Sequence, residues 1–234
     1  MDWSPEVAYG LGLLASDGCL SGDGRHIEFT SKDSELVEHI KTCFGWPQRI
    51  SRKGSGTSGT SKPYFRVQCG NVVHYRWLLS LGLTPHKSLT LGRLRIPDSF
   101  FAHFLRGHLD GDGNITTYQD PVFLDSLRLY VRFYSGSQAF LDWLQDTIRR
   151  LWCLRGFQTP TTIRLNYAKE ESIKLLNHLY DPYDSISLSR KYRIAKPFIE
   201  LLPAEVVKLA NTRASEARAE RLEGSTPSLR TIPS

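Results

Sequence analysis

Two short segments, Gly12-Leu13-Leu14-Ala15-Ser16-Asp17-Gly18 and Gly107-His108-Leu109-Asp110-Gly111-Asp112-Gly113, follow one pattern, one copy in each half of the chain. An internal repeat of this kind means that one supersecondary unit is built twice and that each copy must bury its apolar face against the other. Ahead of each Asp-Gly the spacing is helical and places small residues at i and i+4: Gly12 with Ser16, and Gly107 with Gly111. Such a strip lets two helix backbones approach closely. A glycine inside a helix costs about 1 kcal/mol relative to alanine, and close packing of the two halves offsets that cost. Gly18 and Gly113 are then expected to end the helices in the left-handed turn that glycine tolerates best.

The segments downstream of the two copies are also alike. After Gly18, His26 to Thr30 alternates as a half-buried strand, and Asp33 is placed to cap a helix carrying Leu36, Val37, Ile40 and Phe44 on one face. Strands are expected over Gln48 to Lys53 and Tyr64 to Gln68, flanking a Gly/Ser-rich hairpin loop from Gly54 to Ser61, and a helix runs from Asn71 to Gly82. The second half repeats this order with a strand over Ser126 to Tyr134, a helix over Gln138 to Leu151, strands near Leu154 to Phe157 and Thr162 to Tyr167, and a helix from Glu170 to Tyr180. The reading is α+β: two pseudo-symmetric αββαββα halves with antiparallel sheets, and the two motif helices packed at their interface. Residues 1–83 form the first half, 84–97 an extended linker bracketed by Pro85 and Pro97, 98–202 the second half, and 203–234 a polar C-terminal helix or tail, partly disordered.

An isolated Asp-Gly is ordinary turn chemistry. Two closely packed helices change that, because they bring Asp17 and Asp112 side by side at helix C-termini, which already carry partial negative charge. Two carboxylates about 5 Å apart repel by around 3 kcal/mol at an effective dielectric near 20. A structural role leaves that arrangement unexplained, whereas divalent cations neutralise the pair and create a site for phosphate chemistry. Ser16 and Gly111 join the candidate metal-binding set. An EF-hand starting at Asp110 fails, since Ile115 stands where the turn glycine belongs and Pro121 where the bidentate Glu belongs.

Composition fits this direction. Lys and Arg number 30 against 24 Asp and Glu, a net charge of +6, which suits a polyanionic partner. The four cysteines lack zinc spacing and no secretory leader precedes them, so the expectation is an intracellular protein, not secreted, in a reducing compartment. No apolar run reaches the roughly 20 residues of a membrane helix. The chain ends also lack splicing residues, so an intein is not expected.

With these residues in place, the chain resembles the LAGLIDADG homing endonucleases of the single-chain, two-motif type. The strongest piece is Phe104 to Gly113; Gly82-Leu83-Thr84-Pro85-His86-Lys87-Ser88 also matches a common family passage, and the resemblance spans about residues 5 to 200. It implies a metal-dependent endonuclease of intron homing that hydrolyses both strands of a long duplex target, acting as a monomer without an obligate protein partner. It implies metal binding by Asp17 and Asp112, with Mg²⁺ as the working ion, Mn²⁺ or Ca²⁺ as substitutes, and Ca²⁺ supporting binding without cleavage. It further implies that Lys87 and Lys191 stabilise the reacting phosphate, and that Ser31 and Ser135 occupy the positions used to place water. The first copy departs from the family pattern at Gly10, Leu11 and Ala15. A non-cleaving DNA-binding regulator or an RNA-splicing maturase on the same scaffold is the alternative.

Alternation supplies the candidate DNA-facing residues of a saddle built from the two sheets. Ser126, Arg128, Tyr130, Arg132 and Tyr134 oppose Leu127, Leu129, Val131 and Phe133. Tyr64, Arg66 and Gln68 oppose Phe65, Val67 and Cys69, while Thr162, Arg164 and Asn166 oppose Ile163 and Leu165. Arg49, Ser51 and Lys53 form a further row. Arg and Gln suit guanine and adenine edges in the major groove, and basic residues near strand ends suit phosphates.

Overall fold

The computed structural model describes residues 1–53, 64–119, 127–159, 162–180 and 186–199. Helix α1 (Pro5–Asp17) starts at Ser4, whose hydroxyl accepts from the Val7 N–H at 3.2 Å, with Pro5 at the first helical position, where its missing N–H costs nothing. Every residue from Val7 to Ala15 is buried, so α1 is a core helix and not an amphipathic surface one. Its counterpart is α4 (Phe101–Asp112), buried from Phe104 to Asp110.

The first half continues through β1 (Gly18–Leu20), β2 (His26–Ser31), α2 (Ser34–Phe44), β3 (Ser51–Lys53), β4 (Tyr64–Gly70) and α3 (Val72–Leu81). After α4 the second half runs β5 (Asn114–Gln119), β6 (Leu127–Tyr134), α5 (Gln138–Trp152), β7 (Phe157–Thr159), β8 (Thr162–Ala168), α6 (Lys169–Leu179) and α7 (Ser189–Ile199). The sheets have the same order, β1-β2-β4-β3 and β5-β6-β8-β7, with every pairing antiparallel. The expected α+β architecture with two equivalent halves is what the chain adopts. Among the described residues no helix is long and apolar enough to cross a membrane.

The two motif helices form the seam between the halves. A β carbon on Gly12 would stand 2.1 Å from the Phe104 carbonyl oxygen, and one on Gly107 would stand 2.0 Å from that of Tyr9. Backbone meets backbone there, so the small-residue strip does what its spacing predicts.

Several local expectations are corrected. Gly18 (φ −78°, ψ 151°) and Gly113 (φ −86°, ψ 171°) are extended, not left-handed, because each helix runs directly into a strand. Glycine is needed for space instead: a β carbon would lie 2.6 Å from the carbonyl oxygen of Leu14 or Leu109. Asp33 makes no capping hydrogen bond to α2, and its carboxylate takes Arg190 at 2.9 Å. The strand expected at Leu154 to Phe157 begins only at Phe157, since positive φ at Cys153 (57°) and Gly156 (56°) bends the chain first. The linker is not extended throughout, as Lys87–Leu89 forms a 3₁₀ turn. The hairpin loop Gly54 to Ser61 lies outside the described residues.

Candidate active site

Asp17 and Asp112 are the last residues of α1 and α4, and the packing of those helices brings their tips together. A β carbon on Gly111, the residue before Asp112, would stand 3.4 Å from Asp17 Oδ2 and 1.9 Å from Ser16 Oγ. The seam that fixes the halves therefore also fixes the two carboxylates.

Their electrostatics derive from that placement. Burial, followed by the charge of Asp112, pushes the Asp17 carboxyl up to about 6, against the opposing pull of Lys87 and Lys191. Burial likewise raises Asp112, and the same two lysines lower it. Both lysines are themselves buried, at 6% and 3% exposure, so neither is a solvated surface charge. Burial depresses Lys87, while Asp112 and Asp17 oppose it. Lys191 is pushed down to about 8 by burial, with Asp110 as the largest opposing charge. Two buried lysines thus stand beside two carboxylates, of which Asp17 is half-buried and Asp112 opens to solvent.

The lysines reach it differently. Lys87, in the 3₁₀ turn after α3, donates to the Ser16 carbonyl oxygen at 2.9 Å. Lys191, in the first turn of α7, donates to the carbonyl oxygens of Leu109 (2.5 Å), Asp110 (2.8 Å) and Gly113 (2.7 Å). Asp110 is among the carbonyls that a helix end leaves without intrahelical partners, Leu109 also accepts the Gly113 N–H at 2.9 Å, and Gly113 follows the helix, so Lys191 caps α4 as well as charging the site.

The segment that carries Lys191 is held by two buried residues that pattern reading passes over. Arg106 donates to the carbonyl oxygens of Leu179 (2.6 Å) and Ile186 (3.0 Å). Asp110 accepts the Leu188 N–H at 2.7 Å and the hydroxyls of Tyr9 at 2.8 Å and Tyr180 at 3.4 Å. The first motif has Ala15 where the second has Asp110, so this clamp exists in one half only. Charges at core positions of a helix are the available signal, because such groups persist in a core only when partnered.

Among the described residues no cluster of three or more His, Cys, Asp or Glu side chains is placed to hold a metal. Two carboxylates with nearby backbone carbonyls suit Mg²⁺, which is commonly held by one or two carboxylates together with substrate phosphates and water. The donor set is all oxygen, as that ion requires. At Ser16 the carbonyl oxygen already receives Lys87, so its second lone pair is what remains for a cation. Ser31 and Ser135 sit at equivalent strand ends, where their hydroxyl oxygens accept from the N–H groups of Asp33 (3.2 Å) and Ser137 (3.1 Å).

The outward faces of the sheets carry most of the expected polar row. Arg49, Ser51 and Gln68 are exposed, and Tyr64, Arg66, Arg128, Tyr130, Arg132 and Arg164 are partly so. Tyr130 stacks on Tyr118 with ring centroids 5.5 Å apart, and the Arg132 guanidinium lies over Tyr130 at 4.7 Å while donating to Thr116 Oγ1 at 2.7 Å. Lys53 pairs with Tyr64 at the end of β3. Ser126 lies outside the described residues. Asn166 is a correction: it is 2% exposed, with its amide donating to the Phe157 carbonyl oxygen at 3.1 Å, because β6 and β7 cover it on both sides. Ile163 is half exposed, since it lies beyond Arg164, the last β8 residue that pairs with β6. The expected row omits Glu28, which shares the outward face of the first sheet and pairs with Arg66 at 2.6 Å.

No protein-family model and no curated protein matches the chain. Solved structures do. The I-LtrWI LAGLIDADG homing endonuclease bound to target DNA superposes with a TM-score of 0.57 at 14% identity, over 97% of this chain and 99% of that one. The LAGLIDADG homing endonuclease I-GzeII in complex with its DNA target gives 0.54 at 12% identity, over 98% and 100%. Full-length DUF199/WhiA from Thermatoga maritima gives 0.51 at 14% identity, over 100% and 78%. The fold is that of the single-chain LAGLIDADG proteins, as the two motifs imply.

Proposed function

We propose that this chain is a site-specific double-strand DNA endonuclease of the intron-homing type, acting as a monomer on a long duplex. The observation that carries the reading is the meeting of Asp17 and Asp112 at two helix tips locked backbone to backbone, with buried Lys87 and Lys191 beside them. Two buried lysines beside two crowded carboxylates are costly, and a surface that only binds DNA has no use for them. Both aspartates come from one chain, so one copy supplies a complete site.

The proposed reaction adds water to phosphorus and breaks the P–O3′ bond, leaving a 5′-phosphate and a 3′-hydroxyl that takes up the proton. Asp17 and Asp112, with the carbonyls of Ser16 and Gly111, would hold divalent cations, Mg²⁺ by preference. When bound, these supply activated water and neutralise charge on the phosphate. Lys87 and Lys191 add fixed positive charge from buried positions beside the carboxylates, where it favours the charge-rich transition state. The basic outward strands would hold the duplex over the site, with Arg49, Arg128 and Lys53 suited to phosphates and Arg66, Gln68, Arg132 and Arg164 to base edges.

The test is to incubate the protein with Mg²⁺ and a randomised duplex library and to sequence the cut ends. Wild type should cut one family of sequences on both strands, and D17N and D112N should bind the same family without cutting. Selective binding without cutting by wild type would favour the non-cleaving regulator, and selective binding of folded RNA the maturase.

A further inference from the structure

The outward face of the first sheet holds a carboxylate where a DNA-binding surface should avoid one. Glu28 sits mid-strand in β2, opposite Gln68 of β4 and Cys19 of β1. Its carboxylate takes Arg66 at 2.6 Å and the Thr30 hydroxyl at 3.2 Å, and Arg66 also donates to Gln68 Oε1 at 2.8 Å. Arg66 and Glu28 remain 30% and 20% exposed, so the pair faces the space a duplex would fill.

A carboxylate repels phosphate, so Glu28 cannot serve as a backbone contact. What it can accept is an exocyclic amino group. In the major groove a G·C pair presents the acceptors N7 and O6 of guanine next to the N4 amino donor of cytosine. An arginine hydrogen-bonded to a glutamate presents the complementary order, donors beside an acceptor. We infer that Glu28 and Arg66 act as one unit that reads a single G·C base pair, Arg66 donating to guanine and Glu28 accepting from cytosine N4.

The second half does not repeat the device. Ser31 and Ser135 close equivalent strand-to-helix turns, which aligns β2 with β6 and sets Arg132 where Glu28 stands. The register agrees, since Glu28 pairs with Gln68 while Arg132 pairs with Asn166. A donor replaces an acceptor at matching positions, so the two half-sites differ there and the target is not a palindrome at that base pair.

This inference rests on the outward sheet faces meeting a duplex in the proposed endonuclease. Wild type, E28A and R66Q are each used to select bound duplexes from a randomised library, with Ca²⁺ replacing Mg²⁺. Wild type should fix G·C at one column. Both variants should lose that preference by roughly 10-fold while other columns persist. The cytosine of that column is then replaced by N4-methylcytosine, whose methyl group occupies the major-groove N–H. Wild-type binding should fall by about 10-fold, and binding by E28A should not change. Unchanged columns, separate columns for the two variants, or equal loss on methylation in both proteins would overturn the paired reading alone. A wild type that selects no duplex would overturn the endonuclease proposal and this one with it.

Discussion

Gly107 of α4 lies so close to Tyr9 of α1 that a β carbon on the glycine would stand 2.0 Å from the tyrosine carbonyl oxygen. No side-chain rotation relieves that contact, because the obstacle is backbone. G107A should therefore lose about 3 kcal/mol or more of unfolding free energy, measured by urea denaturation. G22A, at a glycine with open space around it, should stay within about 0.5 kcal/mol of wild type.

The same seam forces Asp17 and Asp112 together. Without cations, D17N removes a charge that burial and Asp112 both disfavour. It should raise stability at pH 7.5 by roughly 1–2 kcal/mol while cleavage falls by about 10³-fold or more. Duplex affinity in Ca²⁺ should stay within a few-fold of wild type. Thermal melts and cleavage assays on one preparation check both halves of the prediction.

The pH dependence has a definite sign. Asp17 is raised from 3.8 to about 6, so its contribution to stability is complete below its unfolded value and is lost as pH rises through about 6. Lys191 is lowered to about 8, so its contribution is present above its unfolded value and is lost as pH falls through about 8. Between pH 6 and 8 both groups are charged in the fold and the bare site is at its most costly. Mg²⁺ or Mn²⁺ should accordingly raise the melting temperature at pH 7.5 and have little effect at pH 5, where Asp17 is protonated. Equal cation-induced shifts at both pH values would contradict this.

The lysines should contribute to stability in different ways. Lys191 donates to three carbonyl oxygens around the end of α4, of which Leu109 keeps the Gly113 N–H without it, and K191M should cost about 1–3 kcal/mol, chiefly through Asp110 and Gly113. K87M removes a single such bond but also the cation that most offsets Asp17 and Asp112, so it should cost about 3 kcal/mol at pH 7.5 and less at pH 5, where Asp17 is protonated. Both should lower single-turnover cleavage by about 10²- to 10³-fold. Chemical denaturation and single-turnover kinetics distinguish the two effects.

Much of this is legible in the sequence because the deciding features are local. Small residues at i and i+4 in two motifs lead to the helix seam, and strand alternation leads to the outward row of Arg66, Arg128 and Arg132. What escapes depends on register and on contacts between distant segments. Alternation places Glu28 outward but cannot show that it lies within reach of Arg66, a strand away. Arg106 and Asp110 read as polar positions on a helix, whereas their role is set by carbonyls and an N–H some 70 to 80 residues further along. Alternation assigns Asn166 to the outward face, yet the neighbouring strands bury it. Gly18 and Gly113 show a related limit: the residue type is informative, but crowding and not handedness is the reason for it.

The most direct test of the paired-carboxylate site is Mn²⁺ binding read by electron paramagnetic resonance at pH 7.5, on protein bound to the duplex it selects. Wild type should immobilise Mn²⁺, and D17N/D112N should leave the free-ion spectrum essentially intact. Equal Mn²⁺ uptake by the two proteins would show that these aspartates do not hold the ion.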